Sequence, residues 1–179
     1  MPYVSGAGLD TGEILDEITT WINSIGLFWL HGSAGTGKSS IAHSAADRFK
    51  RLERLGSCYC FDRNGMGQQR DKRIFATIAQ DLADRDKHMR SALADVISMD
   101  ASLKNTTDIV RQWKEMVLTP AQKPSEGMVS PIVIIIDGLD ESGGPESRNR
   151  LPHILAGKVG NGIDEESHIT QLPRTSGSF

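Results

Sequence analysis

Cysteine is scarce in this chain: 179 residues include two, Cys58 and Cys60. A pair separated by one residue cannot staple a small secreted fold. The two alternate in an apolar stretch and so point to one side of a strand, too close in sequence for a relaxed bridge. They are expected to be buried, reduced thiols. Long apolar runs are also missing. Those at 27–30 and 132–136 fall far below the ~18 residues of a membrane span. The first residues carry no charged-then-apolar leader pattern, so the expected compartment is the cytoplasm. No basic excess exists either, since 20 Lys and Arg stand against 23 Asp and Glu. That balance excludes following a nucleic-acid backbone by bulk charge.

What the chain does have is glycine, at 18 residues, and a globular balance of 38% hydrophobic and 24% charged residues. Its length suits one domain. Ile14, Leu15, Ile18, Trp21 and Ile22 recur at helical spacing, behind a capping pattern of Asp10 and Glu13. Residues 27–30 read as a short buried strand. Ile41, Ala42, Ala45, Ala46, Phe49 and Leu52 make one face of a second helix. Residues 58–61 read as a second strand. Further helices are expected through Ile74, Phe75, Ile78, Ala79 and Leu82, through Met89, Leu93, Val96 and Ile97, and through Ile109, Val110, Trp113, Met116 and Val117. Pro120, Pro124 and Gly127 mark a linker. Residues 132–136 are wholly β-branched and apolar, the pattern of a parallel strand covered on both faces. Strands alternating with helices predict an α/β domain, a parallel sheet between helices. Beyond Asp137 the chain turns polar, and Pro152 is expected to start any helix near 151–156. The expected division is a lead-in at 1–12, the core at 13–157 and a flexible tail at 158–179.

Between the first strand and the second helix stands Gly32-Ser33-Ala34-Gly35-Thr36-Gly37-Lys38-Ser39, which fits G-x-x-x-x-G-K-[ST] at every fixed position. The pattern has a physical purpose. Backbone N–H groups can wrap a triphosphate closely only where side chains do not intervene. The following helix aims its positive end at the same anion. Lys38 can reach β and γ oxygens, and the Ser39 hydroxyl can bind Mg²⁺. The apolar 132–136 strand ends in Asp137, followed by Gly138, Leu139, Asp140 and Glu141. An aspartate at the carboxyl end of a buried strand faces the crevice where α/β sheets bind ligands. Asp137 is therefore the candidate Mg²⁺ carboxylate, and Asp140 or Glu141 the candidate for orienting an attacking water.

Trp21-Ile22, the run from Leu27 through His31 into the glycine loop, Cys60-Phe61-Asp62-Arg63, and the string Asp137-Gly138-Leu139-Asp140-Glu141 together resemble the NACHT-type P-loop NTPases of the STAND class, in the form grouped with nephrocystin-3-like N-terminal domains. Large multidomain fungal proteins carry many of these. The resemblance covers about residues 9–156. It implies a three-layer P-loop NTPase fold that binds ATP or GTP with Mg²⁺, hydrolyses it slowly, and switches conformation to control self-association of a signalling protein. By position it implies nucleotide contacts from Gly32, Ser33, Ala34, Gly35, Thr36, Gly37, Lys38, Ser39 and Ser40. It implies metal ligands Ser39 and Asp137, and catalytic roles for Lys38 and for Asp140 or Glu141. In such domains a strand lies between the loop strand and the acidic strand and ends in a sensor for the γ-phosphate. Here Arg174 has no apolar strand around it. The resemblance therefore implies a domain incomplete at the C-terminus, from a truncated product or fragment.

Two other functions compete with the nucleotide switch. A small-molecule kinase needs an arginine-bearing lid, and residues 63–73 are the available segment. A non-catalytic fragment acts through protein–protein contacts, with full-length NACHT relatives as partners. Arg48, Lys50, Arg51, Arg54, Arg63, Arg70, Lys72 and Arg73 are interleaved with acids and read as a solvated helix face. Arg63 closes a strand and is a candidate for the crevice. His31 is either a strand-end residue or a base contact. His43, His88, His153 and His168 show no metal-ligand spacing. Trp21, Trp29 and Trp113 are expected in the core. No nucleic-acid or membrane partner is expected.

Overall fold

The computed structural model describes residues 3–5, 11–22, 27–61, 72–122, 131–142 and 145–157. Within them the architecture is mixed α/β, with parallel strand pairs between helices. Strand β1 (Tyr3–Ser5) lies in the expected lead-in and pairs parallel with β2 (Trp29–His31). Strand β3 (Leu55–Cys60) pairs parallel with β4 (Val133–Asp137). Among the described residues no strand joins β2 to β4.

Helices cover both faces of the β3–β4 pair. Helix α1 (Thr11–Trp21) and helix α2 (Lys38–Arg51) form one layer. Ile22, Ala45 and Phe49 pack there with Leu55, Val133 and Ile135. Helix α3 (Ile74–Arg85) and helix α4 (Lys87–Met99) belong to the opposite layer. Ile74, Phe75, Ile78 and Ala79 pack there with Tyr59, Ile134 and Ile136. The alternation along β4 follows from the two-residue period of a strand. All five residues of β4 nevertheless stay half-buried, because no described strand lies on the edge away from β3. β2 packs through Leu30 onto Ile14 and Ile41, so α2 touches both strand pairs. The exposed Arg48–Asp16 ion pair at 2.9 Å also links α1 to α2, a contact worth little in water.

Several expected elements are revised. β3 begins at Leu55, three residues before the expected strand, and β2 is shifted to include His31. The expected helix through Ile109 begins as α5 (Ile109–Arg111), widens into a π-helix (Gln112–Leu118) and closes as α6 (Thr119–Ala121). Pro120 belongs to that last turn rather than to a linker. It lacks an N–H and its ring crowds the carbonyl four residues back, which accounts for a change of pitch. Pro152 lies inside α7 (Pro145–Leu155), and Pro145 supplies the start. The three tryptophans are half-buried, with Trp21 against Phe28 and Trp113 against Phe75. The expected tail and Asp10 lie outside the described residues. No helix among the described residues is long and apolar enough to cross a membrane.

Gln112 is fully buried, yet it is satisfied. Its Nε2 donates to Lys72 O at 2.5 Å and Thr106 O at 2.8 Å, and its Oε1 accepts from Ala76 N at 3.1 Å. One amide thus joins the start of α3 to the π-helix. Gln112→Met strands those backbone groups and is expected to cost roughly 3 kcal/mol, read as a lower urea midpoint with an unchanged slope. An unchanged midpoint would show that the amide is dispensable.

Candidate functional site: the loop before α2 and the carboxyl end of β4

The glycine-rich loop is open to solvent. Residues 32–37 are exposed, as are Ser39 and Ser40 on the first turn of α2, while Lys38 is half-buried. Gly35 and Gly37 have φ of 82° and 83°, and a Cβ on either would meet nothing within 4 Å. These positions belong to glycine because of their left-handed backbone, not because of crowding. Gly37 is the N-cap of α2 and offers no side-chain cap, so the helix start depends on other partners for its first N–H groups. Thr36 Oγ1 donates to Ser33 O at 2.9 Å and tightens the bend. Lys38 Nζ folds back over the loop and donates to Gly32 O at 2.8 Å and Ser33 O at 2.9 Å. An ammonium group, a helix start and a hollow turn therefore converge on one exposed spot.

Asp137 closes β4 opposite Cys60, its register partner on β3. Phe61 N donates to Asp137 O at 3.0 Å and extends the pairing past the strand. Gly138 then turns the chain with φ 69°, and a Cβ there would lie 2.6 Å from Phe61 O. The turn leads into a short 3-10 helix, Leu139–Glu141, carrying exposed Asp140 and half-buried Glu141. Val133 and Ile135 pack toward α2, and Asp137 follows them in the same alternation. On α2, one turn beyond Ser39, stands His43. Its ring nitrogen, the Cys60 thiol and the Asp137 carboxylate all lie within 4.8 Å of one another. The first turns of α2 and the acidic strand end thus share one side of the β3–β4 pair.

His31 ends β2 directly before the loop, half-buried. Arg48 pairs with Asp16, and Arg51 Nε donates to Asp47 O at 3.2 Å, as a solvated helix face does. Asp62, Arg63, the rest of the expected lid through 71, and Arg174 lie outside the described residues. His43 and Cys60 were not expected near the site. No spacing rule finds them, because they come from different elements.

The thiols also differ from expectation. Cys58 is exposed and Cys60 half-buried, since the face they share is only partly covered by α2. Partial burial, then the neighbouring Cys60, then Asp137 and Asp81 push the Cys58 thiol from 9.0 up to about 11.

The nephrocystin 3 N-terminal family model matches residues 13–168. The chain belongs to that family. The match includes the glycine loop, α2, β3, β4 and the acidic turn, so these are family territory rather than appended segments. No curated protein and no solved structure matches the chain significantly.

Two outcomes are expected for this family member. Gly138→Ala forces a Cβ onto a backbone oxygen at positive φ and is expected to cost on the order of 2 kcal/mol, read by thermal melting. Cys58, protonated in the folded state, should alkylate slowly at pH 8 and faster as pH rises toward 11. The sign for stability follows. Between pH 9 and 11 the unfolded chain has lost a proton that the folded chain keeps, so this thiol's contribution is intact below pH 9 and falls as pH rises through 11. Rapid alkylation at pH 8 that Cys58→Ser abolishes would contradict the assignment.

Proposed function

We propose that this domain binds ATP or GTP with Mg²⁺ through the 32–39 loop and hydrolyses it slowly as a conformational switch, in the manner of the NACHT-type P-loop NTPases of the STAND class. The observation that carries the proposal is the convergence at the start of α2. Lys38, the open glycine turn and the helix N-terminus face solvent together, and the acidic end of β4 lies on the same side of β3–β4.

The residues present fit the phosphates of a nucleotide. The hollow at Gly35 and Gly37 leaves backbone N–H groups accessible, and α2 is long enough to contribute its positive end. Among the described residues Lys38 Nζ bonds the carbonyls of Gly32 and Ser33, which anionic oxygens can replace with stronger charge-assisted bonds. Ser39 and Asp137 are the residues to hold Mg²⁺, which when bound neutralises charge on the β and γ oxygens. Ser40 is exposed on the same turn and available to the phosphates. Asp140 or Glu141 is assigned to orienting water, since both follow Asp137 on the tight turn at Gly138. Self-association under nucleotide control belongs to the same proposal.

Nucleotide titration of the purified chain tests it, with and without Mg²⁺, read by thermal melting. A bound nucleotide at 100 times its Kd stabilises by about 2.7 kcal/mol. Lys38→Ala should weaken binding about 10- to 100-fold, the worth of a charged hydrogen bond. Asp137→Asn should retain nucleotide but lose most of the Mg²⁺ enhancement. If neither ATP nor GTP moves the melt of the wild-type chain, the switch is refuted in favour of a non-catalytic interaction fragment.

A further inference from the structure

His43, Cys60 and Asp137 bring a nitrogen, a sulfur and an oxygen donor within 4.8 Å of one another from α2, β3 and β4. Two of the three are fixed by backbone pairing, because Cys60 and Asp137 are partners in the parallel register. The third is adjustable: His43 is exposed on α2 and can rotate about its two side-chain torsions. A tetrahedral ion with bonds of about 2.0–2.3 Å holds its donors about 3.3–3.8 Å apart. Closing around an ion therefore asks for about an ångström of side-chain movement.

The donor chemistry selects the ion. Mg²⁺ and Ca²⁺ take oxygen ligands. Imidazole and thiolate together suit a borderline-soft divalent ion. We propose that His43, Cys60 and Asp137 form a Zn²⁺ site, with the fourth position taken by water. On binding, the Cys60 thiol releases its proton to solvent and the sulfur lone pair goes to the metal. His43 binds as the neutral imidazole and Asp137 as the carboxylate. The ion ties α2 to both strands and so stabilises the folded chain. It does not depend on nucleotide binding. A corollary does: both ions draw on the Asp137 carboxylate, and two cations there repel, so each lowers the other's affinity.

Cobalt is the probe. The full-length chain, reduced and free of nucleotide, is titrated with Co²⁺ and then with Zn²⁺. The expected result is one Co²⁺ per chain with a thiolate-to-cobalt charge-transfer band in the near ultraviolet and intense visible bands of four-coordinate cobalt, all removed by one equivalent of Zn²⁺. Cys60→Ser should abolish the charge-transfer band. His43→Gln should weaken Co²⁺ binding at least tenfold, and Cys58→Ser should leave the band in place. Melting of each variant without metal shows whether it is folded. A spectrum lacking the thiolate band overturns the site, as does one that Cys60→Ser and His43→Gln leave unchanged. A band lost equally in Cys58→Ser and Cys60→Ser also overturns it, in favour of a dithiol site. Because no nucleotide is present, none of these outcomes bears on the switch.

Discussion

The register between β3 and β4 governs where the chemistry of this domain can occur. Parallel pairing sets Cys58 against Ile135, Tyr59 against Ile136 and Cys60 against Asp137. The apolar residues of β4 then divide between two helical layers, Val133 and Ile135 toward α2 and Ile134 and Ile136 toward α3. A slip of one residue would exchange these sets and turn Asp137 away from α2. Burial of four β-branched side chains therefore holds a carboxylate in place, although that carboxylate contributes nothing to the burial. Gly138 continues the constraint, since only a residue without a Cβ can turn so close to Phe61 O.

The glycine loop depends on a different anchor. Among the described residues nothing lies within 4 Å of where a Cβ would stand on Gly35 or Gly37, so the loop takes its position from the elements at its ends. On one side is β2, seated through Leu30 on Ile14 and Ile41. On the other is α2, held by Ile41, Ala45, Ala46 and Phe49. Between these anchors, Lys38 supplies the closure by bonding two carbonyls of its own loop. A lysine held this way has already lost part of its side-chain freedom. On the proposed function, transfer of its ammonium to a phosphate would exchange partners rather than order a free chain, which would lower the cost of binding.

Local patterns were legible in the sequence where one element carries its own signal. The glycine loop, the apolar faces of α1 to α4 and the acidic strand end could all be read in that way. β1 was not legible, because three residues with no periodicity become a strand only by pairing with β2. The π-helix was hidden too, since Ile109, Val110, Trp113 and Met116 fit ordinary helical spacing. Gln112 carries no apolar signal, and its burial follows from backbone groups at Lys72, Ala76 and Thr106 that need partners. The clustering of His43 with Cys60 and Asp137 was the least visible feature. It needs the helix phase of α2, the alternation of β3 and the register of β4 together, and no window of sequence contains all three. The expected burial of the cysteines failed for a related reason, because coverage of a strand face depends on the helix above it.

The two proposed ion sites meet at Asp137. Ser39 and His43 are four residues apart on α2, about 6 Å along the axis. The carboxylate is shared by two donor sets, the Ser39 hydroxyl with phosphate oxygens and the softer imidazole and thiolate of His43 and Cys60. Which ion it takes is then decided by its neighbours: phosphate oxygens and a hydroxyl favour Mg²⁺, while a thiolate and an imidazole favour Zn²⁺. On the proposed function, the backbone register that presents the carboxylate to a nucleotide-bound ion also presents it to the thiol and the imidazole.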